Sequence, residues 1–276
     1  MMKETLADFH TIGLQAVNRA IERIRNIRER PDFEHFFKSD GTPVTEADRQ
    51  AEQQIIKIIT AAYPQHQLHG EEFGLQNAQS DSPYLWAFDP IDGTWAFINQ
   101  ENTACTVLSL LKDNEPILAI VGNPYTQEIF ETVKGGITTL NGRHLPLKNW
   151  EQIKEGVLNY QLPRQFRKDI DTILNIWEKG NIAKLVSVGG SPVYALGNVA
   201  KGTYTAFIMA PFKRETLPWD LSAGILLVEN AGGQVTDLQG NAVNPLKHND
   251  YLVASLVQQV HDEVLELLHR DGFGNG

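Results

Sequence analysis

Apolar positions recur near the helical period at the start of the chain, where Leu6, Phe9, Val17, Ile21, Ile24 and Ile27 predict an amphipathic helix over about 4–28. A turn-rich segment, 38–48, leads into a second stripe of Ala47, Ala51, Ile55, Ile58, Ile59 and Ala62, which Pro64 ends. The stretch 31–40 shows neither period and reads as irregular. From Ala104 the pattern shortens. Segments 104–112, 116–122, 128–134 and 137–140 are strand-like and separated by Asp113-Asn114-Glu115 and Gly135-Gly136, the pattern of an antiparallel meander. Beyond Trp150 the period switches back and forth. A helix is predicted over 164–179 with Phe166, Ile170, Ile173, Leu174 and Trp177 inward, then a strand at 184–188, a helix at 191–200, a strand at 203–209 and a helix at 219–230. Gly232-Gly233 stop that helix, and strands at 234–236 and 251–255 precede a last helix reaching His269. This alternation predicts α/β layering, and the change of pattern near Trp150 divides the chain into halves, 1–150 and 151–276.

The pattern breaks most sharply where the apolar run from Trp86 ends in Asp89-Pro90-Ile91-Asp92-Gly93-Thr94. Pro90 disfavours helical geometry at Asp89, so Asp89 is expected to close a strand. Gly93 lets the backbone turn and lets a ligand approach, and Thr94 is expected to cap a short helix starting at Trp95. Asp89 and Asp92, with the Ile91 carbonyl between them, gather hard oxygens of the kind that bind Mg²⁺. The Gly93 and Thr94 amides suit an anion. An Asp-Pro turn followed by an Asp-Gly turn produces the same residues with no function at all, so the remaining acids must decide. Three groups stand out: Gly70-Glu71-Glu72, Asp48 at capping-box spacing from Thr45, and Asp220 just inside a helix start, where the macrodipole favours a carboxylate.

Composition narrows the choice. With 276 residues, 42% hydrophobic and 21% charged, the chain can bury a sizeable core in one large domain or two packed ones. A net charge of −10 with no basic block argues against extended contact with nucleic acid or anionic membrane. An acidic protein can still bind a phosphate ester if metal ions reverse the local field. Cys105 is the only cysteine, which excludes an intramolecular disulfide, and its strand-like surroundings predict a small buried hydrophobe. Met1-Met2-Lys3-Glu4-Thr5-Leu6 lacks a signal-peptide core, and no apolar run approaches the ~20 residues of a membrane span. A cytoplasmic setting is expected.

Taken together, Gly70-Glu71-Glu72, Asp89-Pro90-Ile91-Asp92-Gly93-Thr94, and Trp219-Asp220-Leu221-Ser222-Ala223-Gly224 followed by Glu229-Asn230-Ala231-Gly232-Gly233 resemble the inositol monophosphatase family of Mg²⁺-dependent, lithium-sensitive phosphatases. Within it, Asp40-Gly41-Thr42-Pro43-Val44-Thr45-Glu46-Ala47-Asp48, Gly70-Glu71-Glu72-Phe73-Gly74 and Asp92-Gly93-Thr94-Trp95-Ala96-Phe97-Ile98 look like the histidinol-phosphatase-like branch. The resemblance implies a layered α-β-α-β-α sandwich and a homodimer. It implies a first Mg²⁺ on Glu71, Asp89 and the Ile91 carbonyl, a second on Asp89, Asp92 and Asp220, and a weaker third drawing on Glu71. Gly93 and Thr94 would bind phosphate; Thr94, hydrogen-bonded to Asp48, would hold the attacking water, and Glu71 would assist its deprotonation. Glu72 matches the motif without being a primary ligand.

The resemblance leaves the substrate open. Ile208 stands where inositol-specific members carry an acid, and the following segment, 210–218, is longer than usual. Glu215 could replace that acid, or Lys213 and Arg214 could meet an anionic group or second phosphate; an ordinary charged surface loop is an equal alternative. Ser187-Val188-Gly189-Gly190-Ser191 matches the turn that lines the substrate pocket, although a serine beside glycines is also an ordinary helix start. His69 and His144 follow no metal-ligand spacing. The function expected is hydrolysis of a small alcohol phosphate, myo-inositol monophosphate or L-histidinol phosphate. A sugar bisphosphatase, a nucleotide 3′-phosphatase and a non-catalytic binding module on the same fold are the alternatives.

Overall fold

Helix α1 (Leu6–Arg28) follows the predicted stripe, with Phe9, Ala16, Val17, Ala20, Ile24 and Ile27 buried and the Thr5 hydroxyl accepting the Asp8 N–H at 3.2 Å. The structure is a computed structural model that describes residues 4–30, 32–39, 41–145 and 150–274. Met1 to Lys3, Pro31, Asp40 and residues 146–149 just before the expected boundary at 150 therefore lie outside the described residues. The region expected to be irregular contains a short hairpin, β1 (His35–Phe37) paired antiparallel with β2 (Pro43–Thr45). All three β1 side chains are exposed, so no apolar alternation marks it in the sequence. Helix α2 (Glu46–Ala62) starts with the expected box: Thr45 Oγ1 accepts the Asp48 N–H and Asp48 Oδ2 accepts the Thr45 N–H at 2.8 Å.

β3 (Gln67–Gly70) and β4 (Gly74–Gln76) flank the Glu71-Glu72 turn, and β5 (Tyr84–Asp92) runs through the central motif to α3 (Thr94–Ile98). The strand does not close at Asp89. It continues to Asp92 with a register shift against β6 (Cys105–Lys112), a bulge that accommodates Pro90. β7 (Glu115–Gly122), β8 (Ile129–Val133), β9 (Thr139–Leu140) and β10 (Arg143–His144) complete the predicted meander. The sheet order is β10-β9-β8-β7-β6-β5-β3-β4, antiparallel from β10 to β5, with β3 parallel to β5.

A strand that the apolar pattern did not reveal, β11 (Val157–Gln161), opens the second sheet. Helix α4 (Arg167–Glu178) begins later than expected, after a 3₁₀ turn at Arg164–Phe166. Its inward face is Asp169, Ile173 and Ile176, whereas Trp177 is 42% exposed and Leu174 half-buried. The face is rotated because the Asp169 carboxylate points inward to the Tyr251 hydroxyl and the Gly274 N–H. β12 (Lys184–Val186), α5 (Pro192–Ala200), β13 (Ala206–Met209), α6 (Pro218–Asn230), β14 (Gln234–Thr236), β15 (Leu252–Ser255) and α7 (Gln258–Arg270) follow, with strand order β12-β11-β13-β15-β14.

Alternating side chains show the layers. Leu108, Leu110, Leu118 and Ile120 pack with α1 and α2, while Val107, Ala119 and Val121 on the opposite face pack with Val193, Ala223 and Leu227 of α5 and α6. In the second sheet Phe207, Met209, Leu252 and Ala254 face α5 and α6, whereas Ala206, Ile208 and Val253 face Ile173, Val260 and Val264 of α4 and α7. The result is the α-β-α-β-α sandwich, with α5 and α6 shared between two sheets. That sharing explains why α6 is buried on nearly every side from Trp219 to Val228.

Candidate active site

The bulge in β5 turns the central motif toward the second sheet's helices. Asp89 Oδ1 accepts the Ile91 N–H at 2.9 Å, and Thr106 Oγ1 ties down the Pro90 carbonyl at 2.8 Å. Gly93 has φ +91°, and a Cβ there would lie 2.8 Å from the Ser191 backbone nitrogen. Close approach of the Gly190-Ser191 backbone, rather than of a ligand alone, is what demands glycine. Gly93 also occupies the cap position expected of Thr94, which is the first helical residue of α3. Ser191 then joins the motif. Its hydroxyl donates to Asp92 Oδ2, accepts the Tyr194 N–H at 2.8 Å to cap α5, and lies 3.1 Å from Cys105 Sγ. Asp92 is thus fixed by a helix of the other half of the chain.

Glu71 reaches the same region from the β3–β4 turn. That turn is anchored by Glu52 of α2, fully buried, whose two carboxylate oxygens accept the Glu72 and Phe73 N–H groups at 2.9 Å each. A side chain at Gly70 would collide with that carboxylate and with the Phe88 ring. Lys38, from the loop of the β1–β2 hairpin, donates to Glu71 Oε1 at 2.8 Å and Glu72 Oε1 at 2.6 Å. Asp220, in the first turn of α6, accepts the Leu217 N–H at 2.6 Å and is held bidentately by Arg214, at 2.6 and 2.8 Å. Sequence reasoning gave no role to Lys38 or Glu52; it read Ser191 as the end of a pocket-lining turn or as an ordinary helix start, and Ser191 does cap α5. Glu52 was detectable, since Asp48 and Glu52 sit one turn apart on the stripe that continues through Ile55 and Ile59; the partners of Lys38 and Ser191 are too distant in sequence to be read.

The electrostatics are those of acids crowded out of water. Burial, then the charge of Glu71 and a hydrogen bond with it, and then Asp92 push Asp89 well above the usual carboxylate range. Burial would raise Glu71 too, but that hydrogen bond, Lys38 and Arg214 outweigh it and hold Glu71 low. Burial raises Asp92 to about 7, with Asp220 and Glu71 adding to the rise and the Ser191 hydroxyl opposing it. Asp48 and Glu52 are likewise lifted to about 7 by burial. Burial opposes the Lys38 charge, yet Glu71 and Glu72 raise its pKa. Among the described residues no three His, Cys, Asp or Glu side chains already form a metal cage; Lys38 takes up carboxylate oxygens of Glu71 and Glu72, and Arg214 those of Asp220. The donor chemistry still fits hard divalent cations: Asp89 and Asp92, whose pKa values are raised chiefly by burial, are costly to ionise unless cations compensate them.

Two expectations are corrected. Asp48 does not bond Thr94: its Oδ2 receives the Thr45 N–H and hydroxyl, at 2.8 and 2.6 Å, while Thr94 Oγ1 donates to the Ile91 carbonyl at 3.3 Å. The capping box consumes the oxygen the contact needed. Nor do Arg214 and Glu215 of the longer loop line the cavity beside the motif. That cavity, of about 440 Å³, is lined by Ser187, Gly189, Gly190 and Lys213, but Arg214 turns to Asp220 and Glu215 is exposed outside the lining. His69 stacks edge-on against Trp219 at 4.9 Å, and His144 is exposed on β10. Cys105 is buried as expected, with its thiol pKa raised by burial.

The layered fold brings Asp89 and Asp92 at the end of β5 near Glu71 of the β3–β4 turn and Asp220 of α6. The model of the inositol monophosphatase family matches residues 5–271, and the chain belongs to that family of phosphatases. It is 28% identical over 266 residues to the chloroplastic bifunctional phosphatase IMPL2 of Arabidopsis thaliana, covering 94% of this chain and 75% of that protein. It is 30% identical over 235 residues to a fructose-1,6-bisphosphatase/inositol-1-monophosphatase of Aquifex aeolicus, covering 83% of each. The solved inositol monophosphatase of Anabaena superposes with a TM-score of 0.79 over 98% of both chains at 24% identity, a likeness of fold. No helix among the described residues is long and apolar enough to cross a membrane.

Proposed function

We propose that the protein is a Mg²⁺-dependent phosphomonoesterase for a small alcohol phosphate, with L-histidinol phosphate and myo-inositol monophosphate as the two candidates. One observation carries this reading: β5 ends in Asp89 and Asp92, the β3–β4 turn brings Glu71 and the first turn of α6 brings Asp220, with Asp92 tied by Ser191 to the start of α5. Glu71, Asp89 and the Ile91 carbonyl would hold one Mg²⁺, Asp89, Asp92 and Asp220 a second, and Glu71 would contribute to a third. Bound there, the ions would supply Lewis acidity to the phosphoryl group, the water and the leaving alkoxide.

The chain's own residues do the remainder. Glu71, held ionised, accepts the proton of the attacking water. The Gly93 and Thr94 amides, in the first turn of α3, orient the phosphate. Ser191 fixes the Asp92 carboxylate through a hydrogen bond, and Glu52 fixes the turn that carries Glu71. Asp48 acts at one remove, by setting the start of α2. No covalent nucleophile is needed, in keeping with the buried, protonated Cys105.

The cavity beside the motif bears on the substrate. Leu162, Pro163, Pro192, Met209, Ala210, Pro211 and Phe212 make most of its wall, and no carboxylate lines it. A ring of hydroxyls would find few acceptors there, whereas a compact aglycone with an apolar face loses little on leaving water. The imidazole of L-histidinol phosphate fits such a wall, but its ammonium group finds no carboxylate there, so the wall does not rank the two candidates. Lys213 at the same wall favours one second reading, a sugar bisphosphate whose other phosphate meets that cation, in line with the name of the Aquifex relative. Phosphate release with Mg²⁺ from L-histidinol phosphate, myo-inositol 1-phosphate and fructose 1,6-bisphosphate decides among them. Release from one of the two monophosphates in preference to the bisphosphate is expected; preference for the bisphosphate, lost in Lys213→Met, would establish the second reading, and release from none would refute both.

A further inference from the structure

The loop 210–217 is closed on the candidate site by one of its own side chains. Arg214 donates from Nη1 to Asp220 Oδ2 and from Nη2 to Asp220 Oδ1, so both carboxylate oxygens are engaged. Asp220 Oδ2 also accepts the Leu217 N–H, and Arg214 Nη1 also donates to the Glu215 carbonyl at 2.9 Å. The guanidinium lies 5.4 Å from the centre of the Phe212 ring, which lines the cavity with Pro211 and Lys213. Asp220 has a side chain only 7% exposed, against 47% for Arg214. The arginine has solvent to move into, and the aspartate does not. A cation that coordinates Asp220 needs the same oxygens that Arg214 occupies.

We propose that Arg214 is a latch: it holds the loop 210–217 on Asp220 until a divalent cation claims that carboxylate, and the released loop then repositions the cavity wall formed by Pro211, Phe212 and Lys213. The proposal rests on the reading of Asp220 as a metal ligand given above. A half-exposed bidentate pair is of modest strength, so the latch is displaceable rather than permanent. Arginine and metal exclude each other at one carboxylate, so the coupling is reciprocal: opening the loop tightens metal binding, and closing it weakens metal binding. Lys213, one residue away, makes no ion pair among the described residues and serves as the control for charge alone.

Calorimetric titration of the chelator-stripped protein with MgCl₂, without phosphate, tests this on the wild type and on Arg214→Met, Arg214→Lys, Lys213→Met and Asp220→Asn. Arg214→Met is expected to tighten the site that Asp220→Asn abolishes by about threefold to tenfold, with Arg214→Lys intermediate and Lys213→Met well short of it. Amide hydrogen exchange across the loop is expected to accelerate in the wild type on adding Mg²⁺, and to be fast already in metal-free Arg214→Met. An Arg214→Met protein that binds Mg²⁺ no tighter than Lys213→Met, or loop exchange indifferent to Mg²⁺, would overturn the latch while leaving Asp220 a ligand. Wild-type Mg²⁺ binding by Asp220→Asn would overturn the ligand assignment and the latch with it.

Discussion

At the scale of single residues, the site depends on contacts that glycine and serine make possible. Gly93 combines a left-handed backbone with backbone atoms of Gly190 and Ser191 where a Cβ would stand. Gly93→Ala is therefore expected to destabilise the protein by at least about 1–3 kcal/mol from the backbone conformation alone, with more from displacing Ser191. Since Ser191 fixes Asp92, phosphatase activity should fall further than the fraction unfolded explains. Denaturant unfolding beside kcat checks this; wild-type values for both would show that the close approach does not matter. The sequence announced Asp89, Asp92, Glu71 and Asp220 as acids beside turns and glycines. It could not announce the pairing of Glu71 with Lys38 and of Asp220 with Arg214, because one cation lies in a short hairpin and the other in a loop that carries other charges.

At the scale of elements, long helices and the meander were legible because their apolar periods are sustained. β11 and β3 were not, since a few residues cannot show a period, and α4 was rotated by one buried polar contact, Asp169 with Tyr251. A second polar contact joins elements far apart in sequence: His10 of α1 meets Glu131 of β8 at 2.8 Å. The hydrogen bond that His10 donates to Glu131, opposed by burial, raises the His10 pKa, and the same bond lowers that of Glu131. The His10 contribution is fully present below its unfolded value of 6.5 and is lost as pH rises through the raised folded value. The Glu131 contribution is present above its unfolded value of 4.5 and lost as pH falls through the depressed one. His10→Gln should thus lower the melting temperature most near pH 5–6, by an amount worth about 1 kcal/mol or less after solvent screening, and hardly at all near pH 9. A deficit equal at both pH values would mean that the pair contributes by packing and not by charge.

At the scale of the whole molecule, five alternating layers bring the two halves of the sequence to one point. β5 and the β3–β4 turn supply Asp89, Asp92 and Glu71, while α6 supplies Asp220 and the cap of α5 supplies Ser191. The five-layer order itself could be inferred only through the family resemblance, because no local pattern says that α5 and α6 will be shared between two sheets. The central claim is that these carboxylates work as one metal site for phosphate-ester hydrolysis. Mg²⁺-dependent phosphate release by the wild type, Asp92→Asn and Asp220→Asn, with folding checked by circular dichroism, tests it most directly. Each substitution keeps the side chain's size while removing a charged ligand, and each is expected to lower kcat by at least ~100-fold. Folded variants that release phosphate at the wild-type rate would contradict the account.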